Sequence, residues 1–234
     1  MEENNKNGEF KVEVDKEELK NQTKDTVNQV KETVKNIDFK KDASATKGFI
    51  LELISKPFST IEAVVTEKEN RFSNAVILMI CFMAVSFMEY FIGTICYEYS
   101  SFKFLPATLA IVSPVLFVLA FTVAVFLFGG KEKKSITTIL SGIAISTTPL
   151  IASYLLSIVY DVCVGKLDIT VIGYITSILR STLNFVFITL MFISIKNLIT
   201  KEDDDIVFRK VAVIILVGYA ILKVLSILNL YSIV

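Results

Sequence analysis

The chain contains no histidine and no tryptophan, and its three cysteines, Cys81, Cys96 and Cys163, include no CxxC pair. The lack of histidine removes the side chain that most often acts as a catalytic base or metal ligand near neutral pH. The cysteine spacing excludes a zinc ribbon and a dithiol redox motif. GxSxG, HExxH, GxGxxG and phosphate-loop patterns are also absent from the sequence. We therefore expect no enzymatic activity, no bound metal and no cofactor.

An excess of charge of either sign is lacking as well. The 24 basic and 24 acidic residues cancel to a formal net charge of zero, which gives no basis for a nucleic-acid partner. The segment 1–41 has no apolar stretch followed by a small-residue cleavage site, so it does not resemble a secretory signal peptide. Membrane insertion would therefore depend on the first transmembrane helix. The many Ile, Lys and Asn residues are typical of an AT-rich bacterial genome.

Long apolar runs dominate the sequence after residue 73. The chain is 53% hydrophobic, and its mean hydropathy is +0.60. A helix needs about 20 apolar residues to cross the ~30 Å hydrocarbon core of a bilayer. Five segments meet this length, at 74–96, 104–128, 136–159, 169–195 and 211–234. The sequence therefore predicts an all-α polytopic membrane protein with a bundle of five transmembrane helices, residues 74–234.

Two polar regions precede the spans. Residues 1–45 form a charged arm whose apolar positions recur at spacings of three, four and three, on one helical face: Val27, Val30, Val34 and Ile37. This face is too narrow to fold alone, so the arm is either partly helical and mobile or a docking helix for a partner. Residues 46–73 predict two short amphipathic helices separated by Pro57, which we expect in the headgroup plane.

Basic residues distribute unequally between the two sides of the predicted bundle. The loops on one side contain only Lys103 and Lys166. The other side carries Lys47, Lys56, Lys68, Arg71, Lys131, Lys133, Lys134, Lys196, Lys201, Arg209 and Lys210. Because basic loops stay in the cytoplasm, we expect a protein of the cytoplasmic membrane with its N-terminus inside and its C-terminus outside.

Three ionisable side chains fall within the apolar segments: Glu89, Arg180 and Lys223. A charge in hydrocarbon costs a few kcal/mol or more, so it normally faces the bundle interior and has a partner. At 1.5 Å per residue, the three lie at similar depths below the outer surface. Small and polar residues share their helical faces, which predicts one intramembrane polar cluster: Glu89, Arg180, Lys223, Ser177, Ser181, Asn184, Ser146 and Ser153.

Several interpretations of these residues are open. Glu89 and Arg180 form a structural ion pair, or the cluster is a cavity whose excess positive charge receives an anion, or it relays protons or ions. Cys96 and Cys163 both lie near the outer ends of their helices, so they are either two free thiols or a disulfide formed in an oxidising compartment.

The stretch 46–74, TKGFILELISKPFSTIEAVVTEKENRFSN, resembles the corresponding segment of Yip-type membrane proteins. In that family a short helix ends at a proline, an amphipathic stretch follows, and five spans come next. The matching positions are Lys56, Pro57, Phe58, Ile61 and Val64. The resemblance extends over residues 46–234, implies an N-in five-span fold in a bacterial branch of the family, and implies no catalytic residues. Eukaryotic members bind Rab-type GTPases in membrane traffic, a machinery that bacteria lack.

Two functional hypotheses follow. In the first, the protein is a non-enzymatic scaffold or adaptor that organises protein partners or lipids at the cytoplasmic membrane through residues 1–73, with anionic lipids attracted to the basic side. In the second, it is a small transporter or channel with a polar intramembrane site for an anionic ligand. The bilayer is a partner in both, and the chain is either a monomer or a homo-oligomer.

Overall fold

The computed structural model describes residues 16–36, 39–66, 71–97, 102–129, 134–199 and 204–228, and every regular element in these ranges is a helix. Three helices precede the spans: α1 (Lys16–Asn36), α2 (Phe39–Ser55) and α3 (Pro57–Val65). The others are α4 (Phe72–Cys96), α5 (Phe104–Phe128), α6 (Ile136–Ser146), α7 (Thr148–Tyr160), α8 (Thr170–Leu198) and α9 (Asp204–Ile227), with a π-helical turn at Asp161–Lys166.

Five helical stretches are long and apolar enough to cross a membrane, which confirms the predicted all-α bundle of five membrane-spanning helices. They are Phe72–Cys96, Phe104–Phe128, Ile136–Lys166, Thr170–Leu198 and Asp205–Ile227. Parts of the predicted arm, loops and last span lie outside the described residues: 1–15, 37–38, 67–70, 98–101, 130–133, 200–203 and 229–234.

Span three is interrupted between α6 and α7. Pro149 has no N–H group, so the carbonyl oxygen of Ile145 loses its usual helical partner. The hydroxyl of Thr148 donates to that oxygen at 2.7 Å, and the hydroxyl of Thr147 donates to the oxygen of Ala144 at 2.7 Å. Side-chain hydroxyls thus satisfy the backbone groups that the break releases.

The helix α3 packs into the end of the bundle where α4, α6 and α9 begin, which we term the basic end. Its buried face, which includes Ile61 and Val65, lies against α6 and α8. Gly142 makes this approach possible, because a Cβ atom there would lie 3.0 Å from Val65 Cγ2 and 2.9 Å from Ser194 Oγ. The sequence predicted α2 and α3 in the headgroup plane, which stays a prediction. The structure buries one apolar side of these helices against protein and leaves Leu51, Ile54 and Phe58 on the other side exposed.

Polar contacts fasten α2 to the start of α4. The hydroxyl of Thr46 donates to Asn74 Oδ1 at 3.3 Å, and both residues are buried. Arg71 lies 3.5 Å from a carboxylate oxygen of Glu52. Its guanidinium also lies over the Phe49 ring, 5.3 Å from the centroid. These contacts join α2 to the membrane-spanning bundle.

The hydrophobic core is concentrated at the basic end. Its fully buried members come from α3 and from the ends of the spans that meet there, and they include Val65, Ala75, Ala124, Ile143, Ile195 and Ile214. At the opposite end, which we term the Tyr97 end, packing is looser, and much of α8 exposes apolar side chains. The bundle is therefore tightly closed at one end only.

Candidate functional site

A polar cavity of about 290 Å³ lies among the four spans α4, α5, α7 and α8. Apolar residues form most of its wall: Phe82, Pro114, Phe117, Leu150, Tyr154, Phe187 and Ile188. Its hydrophilic lining consists of Glu89, Ser113, Ser153, Arg180 and Asn184. Span two, whose sequence carries no charge, thus contributes Ser113 and Pro114 to the wall of a polar site.

Glu89 is fixed at the crossing of α4 and α7. The buried hydroxyl of Ser157 donates to Glu89 Oε1 at 2.9 Å. Ser153 lies one turn away on the same face of α7, since residues four apart are neighbours on a helix. The α7 face that meets Glu89 therefore carries two serine hydroxyls one turn apart, and that of Ser153 lines the cavity.

Asp161, in the π-helical turn, continues this polar face toward the Tyr97 end. The hydroxyl of Tyr97 donates to Asp161 Oδ1 at 3.3 Å. A Cβ atom at Gly93 would lie 3.2 Å from Asp161 Oδ2, so the glycine leaves room for the carboxylate. Partial burial raises the pKa of the Tyr97 hydroxyl, and the Asp161 carboxylate raises it further, so this hydroxyl keeps its proton at neutral pH.

The sequence interpretation missed Asp161 because the predicted third span ended at residue 159. The structure extends that span to Lys166. A signal was present in the sequence, since Ser153, Ser157 and Asp161 recur every four residues. That spacing puts them on one helical face.

Arg180 projects from α8 and interacts electrostatically with the carboxylates of both Glu89 and Asp161. Among the described residues, no ion pair within 4.0 Å joins Arg180 to either carboxylate. Glu89 and Arg180 therefore face the same cavity without direct contact, whereas Asp161 is not part of the cavity wall. Two carboxylates and one guanidinium give this group a formal charge of −1, whereas the sequence interpretation expected an excess of positive charge.

The structure does not bring Lys223 to the cavity, although the sequence predicted it there. The buried face of α9 packs against α5, where Gly218 fits against the Phe121 ring. Lys223 follows the buried residue Leu222 and points about 100° away from it, onto the exposed side of the helix. This position of Lys223 removes the positive charge that the predicted anion site required.

The predicted serine positions divide between three environments. Ser153 lines the cavity together with Asn184. Ser177 and Ser181 lie on the exposed side of α8. Ser146 is buried nearer the basic end, and its hydroxyl donates to the carbonyl oxygen of Gly142 at 2.7 Å. The structure therefore brings together Glu89, Arg180, Asn184 and Ser153, and it leaves Lys223, Ser177, Ser181 and Ser146 outside the cavity.

The thiols lie apart from this site. Cys96 and Cys163, considered as a disulfide from sequence, are both free thiols in the structure, as is Cys81. Within the described ranges, no three His, Cys, Asp or Glu side chains are grouped so that they would hold a metal ion. The polar groups in the cavity wall are therefore the Arg180 guanidinium, the Glu89 carboxylate, and neutral hydroxyl and amide groups.

Comparisons of the chain with protein-family models, with curated proteins and with solved structures found no match. The resemblance to Yip-type proteins stays a prediction for this reason. The functional argument consequently depends on the geometry of the cavity and of the surrounding helices.

Proposed function

We propose that this multi-pass integral membrane protein is non-enzymatic and binds a small charged ligand in the cavity among its first four spans. One observation carries the proposal. Glu89 on α4 and Arg180 on α8 line the same cavity and interact across it without an ion pair. Ligand binding in a bundle commonly uses side chains on facing helices around such a space.

The separation of the two charges favours a ligand site over a structural pair. Charges removed from water need close partners, since their mutual attraction must offset the cost of desolvation. A pair that served stability alone would be in direct contact. A cavity between the partners instead leaves room for water or for the charged groups of a ligand.

The interrupted third span supports a role in solute binding or transport. Broken helices at membrane depth occur where they line cavities, and in transporters they often flank the substrate site. The break at Thr147–Pro149 lies directly before Leu150 and Ser153, which form part of the cavity wall. We propose that the ligand carries charged groups that pair with Glu89 and Arg180, the two oppositely charged side chains in the cavity wall.

Extraction of the full-length protein in native lipid discs, followed by mass spectrometry of what stays bound, tests the proposal. We expect a bound small molecule or lipid that is lost from Arg180→Gln and retained by Lys223→Gln. The second variant is a matched control, because it removes a charge from an exposed helix face outside the cavity. Equal retention by the wild type and Arg180→Gln would contradict the proposal.

A second function, the scaffold that the sequence suggested, is favoured by the outer side of α2 and α3. Leu51, Ile54 and Phe58 are 59%, 73% and 61% exposed there, although the opposite side of the same helices is buried in the bundle. We propose that this surface, with the arm of residues 1–45, contacts a protein partner or anionic lipids at the cytoplasmic side of the membrane.

Deletion of residues 1–45 tests this second function. It removes α1, which contacts α4 and α6, but it retains the Thr46–Asn74 hydrogen bond and the Arg71–Glu52 contact, so insertion of the five spans should persist. We expect specific partners that co-purify with the full chain to be lost from the deletion variant and reduced by Phe58→Ser. An unchanged set of partners in both variants would contradict the scaffold role.

A further inference from the structure

We infer that the cavity receives the headgroup of a lipid that carries both an ammonium and a phosphate, and that this headgroup enters sideways between α5 and α8. The inference rests on the proposed function and adds the chemical class of the ligand and its route. Three features of the cavity support it: its pair of opposite charges, the position of its opening, and its size.

The charges match a zwitterion. The planar guanidinium of Arg180 suits a phosphate, to which it donates two parallel hydrogen bonds. The Glu89 carboxylate, oriented by Ser157, suits the three N–H donors of an ammonium. Because Arg180 and Glu89 face one cavity from different helices, a ligand with both groups satisfies both at once. Asp161 is not part of the cavity wall, but its carboxylate interacts electrostatically with Arg180 and so disfavours a purely anionic headgroup there.

The opening of the cavity lies on the outer surface of the bundle. Two of its wall residues on α8, Asn184 and Ile188, are exposed. In the described part of the chain, α5 and α8 do not pack along each other, and they meet at the Phe117 and Phe187 rings, whose centroids are 5.7 Å apart. These rings lie toward the tightly packed basic end, so the free path leads sideways to the lipid-facing surface.

The size of the cavity suits a headgroup and excludes a whole lipid. Its volume of about 290 Å³ is near the lower end of the range for ligand pockets, which starts at roughly 300 Å³. The acyl chains of a bound lipid would therefore remain outside. The side of α8 next to the opening presents exposed apolar side chains to them, including Phe185 and Ile188.

Lipid titrations of the purified full-length protein test the inference, with the melting temperature in detergent as the readout. The probes are phosphatidylethanolamine, phosphatidylglycerol and water-soluble phosphoethanolamine. We expect saturable stabilisation by phosphatidylethanolamine at concentrations at least about tenfold lower than for either other probe. Arg180→Gln and Glu89→Gln should each raise the required concentration by about tenfold or more, whereas Lys223→Gln should leave it unchanged.

Three results would overturn the inference, and they differ in what they say of the proposed function. Equal or stronger stabilisation by phosphatidylglycerol that still requires Arg180 would reject the zwitterion and keep a ligand-binding cavity. Equal stabilisation by free phosphoethanolamine would reject the lipid and its lateral route. Responses that are identical in the wild type and in both cavity variants would reject the cavity as a binding site altogether.

A variant at the opening of the cavity tests the inference even if the two charge variants misfold. Asn184 lines the cavity at an exposed position, so Asn184→Leu should fold normally. We expect it to weaken the response to phosphatidylethanolamine while its melting temperature without lipid stays that of the wild type. An unchanged lipid response would contradict binding at this opening.

Discussion

At the scale of single residues, hydroxyl groups decide how the polar atoms of this bundle are satisfied. Thr148 replaces the hydrogen bond that Pro149 cannot make. Ser157 satisfies a side-chain group instead, since its hydroxyl donates to the Glu89 carboxylate where α4 and α7 meet. Without that donor, a partly buried carboxylate would lose its directly bonded partner in the described structure.

Ser157→Ala tests the contribution of this bond. We expect the free energy of unfolding to fall by about 1.5–3 kcal/mol, the range for a hydrogen bond to a charged group. Equilibrium unfolding in mixed micelles measures the change. Ser181→Ala, which alters an exposed serine on α8, serves as the control and should change stability by less than about 0.5 kcal/mol. Equal effects of the two substitutions would contradict the role of Ser157.

The residues of the cavity were only partly predictable from the sequence. Glu89 and Arg180 are conspicuous because each interrupts a long apolar run, and the cost of a charge in hydrocarbon points to the bundle interior. The same argument predicted that Lys223 faces the bundle interior, whereas the structure places it on the exposed side of α9. The depth of a charge does not give the direction in which its side chain points, so the partner helix decides which face is buried. Asp161 was missed because the third span, predicted from a length of about 20 apolar residues, ended at residue 159.

At the scale of elements, α3 is a core element of the fold although it spans nothing. Ile61 is 1% exposed and Val65 is fully buried among α6 and α8. The sequence predicted the amphipathic character of this helix correctly, because a 3.6-residue period is visible in Ile61, Val64 and Val65. It did not predict the packing, since an apolar face has the same sequence pattern whether it meets lipid or protein.

A pair of isoleucine substitutions tests the burial of α3. We expect Ile61→Ala to lower the free energy of unfolding by about 2–5 kcal/mol, because it leaves a cavity at the basic end. Ile54→Ala removes the same atoms from a side chain that is 73% exposed, and it should have little effect. Chemical unfolding of the solubilised protein gives both values. Similar losses at the two positions would show that α3 does not pack as described.

At the scale of the whole molecule, hydropathy predicted the number of spans but not their arrangement. Runs of about 20 apolar residues reflect the thickness of the bilayer, which is the same for every span. Which spans pack together depends on local fits such as Gly218 against the Phe121 ring, which joins α9 to α5. The gap between α5 and α8 likewise depends on how several spans pack, and no single segment of the sequence encodes it.

We predict the orientation of the molecule from its basic residues, and this prediction has a direct test. With five spans and an N-terminus in the cytoplasm, a reporter fused after Val234 should read as extracytoplasmic. A reporter fused after Lys134, between spans two and three, should read as cytoplasmic and controls for expression. A cytoplasmic reading after Val234 would contradict either the number of spans or their direction.

The accessibility and charge of the cavity are the central claim, and thiol labelling measures both. The probe is Ser113→Cys, at a half-buried position in the cavity wall, in a protein whose Cys81, Cys96 and Cys163 are replaced by alanine. The control is Thr122→Cys, at a buried position on the same helix that does not line the cavity. The reagents are one positively and one negatively charged methanethiosulfonate, with rates corrected for their reactivity toward free cysteine.

We predict that the thiol at position 113 reacts while the thiol at position 122 does not. The positive reagent should react about tenfold faster at position 113, because the carboxylates of Glu89 and Asp161 raise its local concentration. The additional substitution Glu89→Gln should reduce that preference. An unreactive thiol at position 113, or a faster reaction with the negative reagent, would contradict the account.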